Sequence, residues 1–291
     1  MRKLAVAVLI SMIAFMSVSS NCKSEQPRST PQEGYEHPAE PVETWQDGFF
    51  RQKTVDASKV LKDSVIKAKV DGKWQTFKTT PLPDAFVSWA AQRRLHYLEG
   101  IKHGEMPPLA GPHNAMVASY GVRRRDTHFR INNAVKGTGF TPKPEMIDTL
   151  IELLESTIDS PITYKIDILK KLYSDPDRYF DRTKILSLEL YTTKEFETHT
   201  FLNEMANPAV SIVYLDIPSF EVKAIAQLMH PKDPHLSEYE EKIVEYANLI
   251  HSYFHGEFKR IFPAVIYHVI EVYDNTPRKG ARGRRIMPQL P

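Results

Sequence analysis

IDTLIELLESTI (residues 147–158) and PITYKIDILKKLY (residues 161–173) are the two stretches that decide the fold predicted from this sequence. In both, apolar residues recur three or four positions apart, which is the spacing along one face of an α-helix. In the first stretch they are Ile147, Leu150, Ile151, Leu154 and Ile158. Ser160 and Pro161 separate the stretches, and proline favours the first position of a helix. The sequence therefore predicts two consecutive amphipathic helices.

Helical patterns also dominate most of the remaining chain. Further helices are predicted at 84–102, near 113–120, at 195–205, up to Met229 and over 237–262. The last begins with a capping box, because Glu240 follows Ser237 by three residues. The segment between 121 and 144 has a weaker pattern and is predicted to be a long loop. Together these stretches indicate a helical bundle-like body.

A smaller part of the chain has strand patterns. Residues 65–77 alternate on both sides of Asp71-Gly72, and Asp-Gly between alternating runs is a strong hairpin signal. The two-residue turn predicts that Val70 pairs with Lys73 and Ile66 with Phe77. Residues 209–215 and 265–273 are rich in β-branched side chains and are predicted as further short strands. The predicted fold class is mostly α with minor β (α+β).

The N-terminus has the pattern of a secretory signal peptide over residues 1–21. A basic start precedes a thirteen-residue apolar run from Leu4 to Met16. That run is shorter than the roughly 20 residues of a membrane-spanning helix. Residues 22–48 are rich in proline and polar residues and are predicted to form a flexible tether. The expected parts after it are an α+β subdomain at 49–140, a helical subdomain with strands at 141–276, and a basic tail at 277–291.

The charge of the chain bears on the class of its partner, and its cysteine content bears on disulfide bonding. The chain has 38 Lys and Arg against 36 Asp and Glu, a net charge of +2. Arg2 and Lys3 would leave with the signal peptide, so the mature chain is nearly neutral and no nucleic-acid partner is expected. Cys22 is the only cysteine, so no internal disulfide can form.

Ser19-Ser20-Asn21-Cys22 resembles the signal of bacterial lipoproteins, in the relaxed form of spirochaetes. It departs from the common form, which has glycine or alanine where Asn21 stands. The resemblance implies cleavage before Cys22, lipid attachment to its thiol, and a location in the periplasm or at the outer membrane. The alternative is cleavage after Ser20, which would give a soluble periplasmic protein. The signal region, chain length and helical pattern also loosely resemble leptospiral flagellar-coiling (sheath) proteins, from which no site residue is carried over.

Sequence motifs for catalysis are absent from the chain. It contains no Gly-x-Ser-x-Gly elbow, phosphate-binding loop, His-Glu-x-x-His motif or paired cysteines. His251 and His255 are four residues apart, but paired helical histidines are more often packed or solvated than bound to metal. No metal, cofactor or catalytic residue is therefore predicted. An enzyme would have to use scattered residues, of which the best candidates are His96, Glu99, Asp126 and His128.

Three groups of residues are candidates for contacts with a partner. Tyr239, Tyr246 and Tyr253 recur every seven residues on the 237–262 helix, either as core residues or as a contact edge. Arg123, Arg124 and Arg125, together with Arg130, face either an acidic partner or solvent. The tail concentrates five positive charges that would order on a membrane, glycan or protein partner: Arg278, Lys279, Arg282, Arg284 and Arg285.

These features favour a non-enzymatic structural or protein-binding protein of the cell envelope, in a periplasmic (flagellar sheath-like) or surface assembly. The expected partners are other envelope or filament proteins, and the membrane if Cys22 is acylated. The alternatives are a small-ligand binding module and an enzyme whose active site no motif reveals.

Overall fold

The computed structural model describes residues 44–124, 126–256, 258, 260–278 and 283–289. The predicted signal peptide, Cys22 and most of the predicted tether lie outside these residues. The end of the predicted tether belongs to the folded body, because Trp45 is only 8% exposed and its indole N–H donates to Glu197 at 3.0 Å.

Strands and helices contribute about equally to the described chain. The strands are β1 (Trp45–Gln46), β2 (Phe49–Phe50), β3 (Val55–Asp56), β4 (Val65–Val70), β5 (Lys73–Lys78), β6 (Asn114–Tyr120), β7 (Ile131–Gly137), β8 (Gly139–Pro142), β9 (Phe180–Leu188), β10 (Ala209–Val213), β11 (Phe220–Met229), β12 (Ala264–Asp274) and β13 (Arg284–Met287). The helices are α1 (Val60–Asp63), α2 (Asp84–Lys102), α3 (Ile147–Ser156), α4 (Ile162–Ser174), α5 (Pro176–Tyr179), α6 (His199–Ala206) and α7 (Glu238–His255).

One large antiparallel sheet organises the body. Its strands lie in the order β7-β6-β10-β11-β12-β9-β8, and β13 pairs with β12 as an eighth strand. β7 and β8 are at opposite ends of this order, yet only Thr138 separates them in the chain. Since consecutive Cα atoms are about 3.8 Å apart, the sheet must curl until its two ends approach each other. The expected parts 49–140 and 141–276 share this sheet.

The predicted hairpin is confirmed and forms a three-stranded sheet of its own. β4 pairs with β5 in the predicted register, with Val70 opposite Lys73 and Ile66 opposite Phe77. β3 adds to the other side of β4. Ile66 and Ala68 are fully buried and pack with Ile225 of β11, so the small sheet covers part of the large one.

The predicted mostly α, bundle-like fold is wrong. The segment expected as a helix near 113–120 is β6, and the expected loop after it contains β7 and β8. The segment before Met229, which was expected to be helical, is strand β11. Residues of β11 and β12 are buried on both sides of the sheet. Such strands lack the alternation of polar and apolar residues by which a half-buried strand is recognised.

Several helices agree with the prediction, and one is shorter. α2 has the predicted bounds, while α3 and α4 correspond to the two stretches at 147–173. α7 begins after the predicted capping box at Ser237 but ends at His255, before the predicted end at 262. Gly256 has φ = 85°, a left-handed conformation that stops the helix. Among the described residues, no helix combines the length and apolarity that a membrane span requires.

Candidate interaction surface

The outer side of strands β7, β6 and β10 carries exposed apolar side chains. Alternate residues of β6 point into the core, where Ala115, Val117 and Ser119 are buried. The outward residues form what we call the uncovered sheet face: Met116, Ala118, Tyr120, Ile131, Asn133, Val135, Ser211 and Val213. None of them is charged, and charged residues begin on the next strand, where Lys223 and Glu221 of β11 lie opposite Ser211 and Val213. The exposed fraction is 49% for Tyr120, 61% for Ile131 and 70% for Val135.

The strand register arranges these residues in rows across the sheet. Tyr120 lies opposite Ile131 in the first row. Asn133, Ala118 and Ser211 form a central row of small or polar side chains. Val135, Met116 and Val213 form the third row, which is wholly apolar.

An antiparallel sheet with one solvated side normally presents polar residues on that side. The uncovered sheet face departs from this rule, and contiguous exposed apolar patches mark interaction sites. The opposite side of β6 and β7 is covered by α6, whose Asn203 contacts Ser119 and whose Thr200 accepts from Asn132. The outward side of β7 and β6 is thus more apolar than a solvated sheet side usually is, and it is the best candidate for a functional site.

Arginine and aromatic side chains border this face. Arg124, in the segment between β6 and β7, pairs with Asp126 at 2.7 Å, and its guanidinium lies 5.7 Å from the centroid of the Phe196 ring. Phe129 is 68% exposed and Arg130 is also exposed. An open cavity of about 300 Å³ is lined in part by Arg124, Asp126, Phe129 and Ile131. Arg123 is half-buried, and Arg125 lies outside the described residues.

Helix α6 holds this border in place through buried hydrogen bonds. The fully buried Asn203 side chain accepts from the Val122 N–H at 2.7 Å and donates to the Arg130 carbonyl at 3.1 Å. His199 Nε2 lies 2.6 Å from the Val122 carbonyl oxygen. A Cβ at Gly121 would lie 3.3 Å from Asn207 Cβ, so only a small residue allows this close approach. The border is thus positioned before any partner binds.

The predicted tyrosine edge is not a surface. Tyr246 and Tyr253 are 3% and 1% exposed. The Tyr253 hydroxyl lies 2.8 Å from that of Thr157, and the Tyr239 hydroxyl donates to the Pro142 carbonyl at 2.7 Å. Burial raises the pKa of Tyr246, as expected for a phenol in the core. The seven-residue spacing of these tyrosines results from the packing of α7 against the body, so they do not form a surface for a partner.

The predicted flexible tail is partly a strand. Arg284 and Arg285 belong to β13, where Arg285 pairs with Glu271 at 3.1 Å. Arg278 pairs with Asp274 at 2.6 Å. Lys279 and Arg282 lie outside the described residues. Two of the five charges are thus already neutralised within the fold.

The scattered polar residues considered for catalysis lie on different elements. His96 and Glu99 are on α2, whereas Asp126 and His128 are in the segment between β6 and β7. Glu99 pairs with Lys170 at 2.6 Å and with His103 at 3.3 Å, and Asp126 pairs with Arg124. These contacts satisfy both carboxylates as surface ion pairs.

His251 and His255 pack together on α7. Their ring centroids are 4.6 Å apart, and the His251 ring stacks on Phe258 at 5.0 Å. Burial and the neighbouring His255 lower the pKa of His251 to about 4. Within the part of the chain that the structure describes, no group of three or more potential ligands is arranged for a metal ion.

Sequence reasoning found the arginines of the border but missed the apolar residues beside them. In β6 the inward residues Ala115 and Val117 and the outward residues Met116 and Ala118 are all apolar. The strand therefore lacks the alternation of polar and apolar residues by which it could be recognised. Comparison with known proteins adds no analogue: no protein-family model matches the chain, and no curated protein is significantly similar to it.

Proposed function

We propose that this chain is a non-enzymatic protein of the cell envelope that binds another envelope or filament protein through the uncovered sheet face. The observation that carries the proposal is the exposure of Tyr120, Ile131 and Val135 on two adjoining strands whose outward residues are uncharged. Fully burying a large apolar side chain contributes about 1.5–3 kcal/mol. A partner that covers Tyr120, Ile131 and Val135 would therefore gain a substantial part of this burial free energy from each side chain.

The border of the face indicates the chemistry of the partner. Protein interfaces combine an apolar centre with a polar rim and are enriched in aromatic residues and arginine. Arg130 supplies an exposed guanidinium group and Phe129 extends the apolar area, whereas Arg124 is already paired with Asp126. The partner we propose presents an apolar surface bordered by carboxylates, to which arginine binds in a bidentate manner.

The proposed location in the cell envelope is based on the signal-like sequence at the N-terminus. Acylation of Cys22 would attach the chain to a membrane, beside which the folded body would bind its partner. A sheath-like or surface assembly in the periplasm or at the outer membrane would supply such a partner.

The test is cross-linking and pull-down of the full chain from its native envelope. In the variant Ile131→Lys/Val135→Lys, we expect loss of most of the captured partner, because two ammonium groups would have to be buried in the interface. The matched control is Leu61→Lys/Trp74→Lys, which also places two lysines at exposed apolar positions, 56% and 55% exposed, but on α1 and β5, outside the uncovered sheet face. The control should capture the partner as the wild type does.

Unfolding curves for both variants should agree with the wild type within about 0.5 kcal/mol, as is usual for surface substitutions. Equal capture by the wild type and the face variant would refute the proposal. Capture of a second copy of this chain, detected as a dimer by light scattering, would replace the heterologous partner with a homodimer.

A further inference from the structure

A second cavity lies at the C-terminal end of α2. It has a volume of about 270 Å³ and is open on one side. Its lining includes Arg93, His96, Tyr97, Ile101, Glu105 and Met106. None of the cavity's lining residues belongs to the uncovered sheet face, so the two sites are independent.

Two close contacts hold the cavity wall after α2 against the helix. The Tyr97 hydroxyl donates to the Ala110 carbonyl at 3.2 Å. Gly111 has φ = 121°, and a Cβ there would lie 2.5 Å from the Tyr97 hydroxyl oxygen. A Cβ at Gly100 would lie 2.8 Å from Glu105 Oε2, so the carboxylate of Glu105 is directly over the last turns of α2. Glycine is required at position 111, where φ is positive and the Tyr97 ring is close, whereas at position 100 the nearest atom is the end of the flexible Glu105 side chain.

Two carboxylates line the cavity, those of Asp216 and of the exposed Glu105. Arg93 Nε lies 2.9 Å from Asp216, which also accepts from the Trp89 indole N–H at 3.0 Å. These contacts satisfy Asp216 and neutralise Arg93. Glu105 has no ion-pair partner among the described residues. It also lies at the C-terminal end of a helix, where the helix dipole favours a cation and disfavours an anion.

The rest of the lining suits an organic group. The rings of His96 and Tyr97 lie side by side, with centroids 6.0 Å apart, and aromatic faces attract cations. Ile101, Met106, Pro107 and Pro108 supply apolar wall. At roughly 30 Å³ per water molecule, the cavity has the volume of about nine waters, which fits a ligand of about the same number of non-hydrogen atoms.

We propose that this cavity binds a small organic ammonium ion. The ammonium group pairs with the Glu105 carboxylate and lies beside the Tyr97 ring. The apolar body of the ligand packs on Ile101 and Met106. Arg93 remains paired with Asp216, so it does not compete for Glu105.

Three probes of equal chain length test the proposal on the full chain: hexylammonium, hexanol and hexanoate, titrated by calorimetry and by two-dimensional NMR. We expect saturable binding of hexylammonium with shifts at His96, Tyr97 and Met106. Hexanol should bind at least tenfold more weakly, and hexanoate should not bind. Glu105→Gln should weaken hexylammonium at least tenfold. Glu152→Gln, an exposed glutamate on α3, is the matched control and should leave its affinity unchanged.

Equal or tighter binding of hexanoate would overturn the charge argument. Equal binding of all three probes, or of hexylammonium to the Glu105 variant and the wild type, would reduce the cavity to a nonspecific apolar cleft. Absence of saturation by every probe would refute the site altogether. None of these outcomes alters partner capture by the uncovered sheet face.

Discussion

At the scale of single residues, Glu204 on α6 is a carboxyl group with no exposed surface. The Tyr267 hydroxyl donates to Oε1 at 3.3 Å, and Oε2 has no hydrogen-bond partner among the described residues. Burial raises the pKa of Glu204 to about 8; the charge of Lys136 lowers it, while that of Glu189 raises it. Glu204 is therefore mainly neutral at pH 7, because an isolated charge in the core would be costly.

Glu204 should make folding stability depend on pH. Its pKa is higher in the folded chain than in the unfolded chain, where it is about 4.5, so its contribution is complete below pH 4.5 and is lost as pH rises to about 8. The loss approaches about 1.4 kcal/mol per pH unit. We expect urea unfolding at pH 6.5 and pH 8 to show that the wild type loses stability over this interval relative to Glu204→Gln.

Buried histidines act in the opposite direction but in a lower range. Burial lowers the pKa of His268 to about 3, so its contribution is present above about pH 6.5 and is lost as pH falls. Because the unfolded histidines titrate near pH 6.5, they still add some stability as pH rises from 6.5 to 8, so only the difference between the wild type and Glu204→Gln isolates Glu204. Parallel pH dependence in the wild type and the Gln variant would show that Glu204 does not titrate there.

At the scale of elements, the start of α7 depends on a reciprocal pair of hydrogen bonds. The Ser237 hydroxyl accepts from the Glu240 N–H at 3.4 Å, and the Glu240 carboxylate accepts from the Ser237 N–H at 2.7 Å. These bonds satisfy backbone donors that have no partner inside the helix. α7 carries buried core residues such as Ile243 and Tyr246, so the position of its first turn affects the packing of the whole helix.

Removing the capping hydroxyl should weaken the fold measurably. Ser237→Ala should lower the free energy of unfolding by about 1 kcal/mol. Ser88→Ala is the control, since Ser88 is exposed inside α2 and alanine favours a helix interior. Chemical denaturation of both variants checks the prediction, and a similar stability for Ser237→Ala and Ser88→Ala would contradict it.

At the scale of the molecule, a buried ion pair joins the two ends of the curled sheet. Lys136 of β7 pairs with Glu189, which directly follows β9; the residues are 9% and 0% exposed. Glu189 also accepts from the hydroxyls of Thr192 at 2.8 Å and Thr198 at 3.2 Å. The pair thus connects strands that share no ladder in the strand order.

Removing only one partner of this ion pair should lower the free energy of unfolding more than removing both partners does. Lys136→Met leaves a buried carboxylate and should lower the free energy of unfolding by about 3–5 kcal/mol. Lys136→Met/Glu189→Leu should recover most of that loss, because no unpaired charge remains. Lys102→Met, which breaks an exposed pair with Asp167, should cost no more than about 1 kcal/mol. A double variant no more stable than Lys136→Met would refute this account of the closure.

Local features were predictable from the sequence. The bounds of α2, the register of the β4–β5 hairpin and the capping box of α7 depend on residues within a few positions of each other. Their physical causes are helical periodicity, the Asp-Gly turn and a side chain that caps backbone donors. The arginines beside the uncovered sheet face were also identified, because a cluster of charge is visible without a fold.

The tertiary structure alone decided the large sheet and its exposed face. β6 pairs with β10, whose residues lie some ninety positions later, as in the pair Ser119 and Val210. Strands β11 and β12 are apolar on both sides because other elements cover both sides, so their sequences resemble buried helices. Met116 and Val213 share a face only after the distant strands β6 and β10 pair. Whether an apolar side chain packs in the core or stays at the surface depends on what covers it, and that is a property of the assembled sheet.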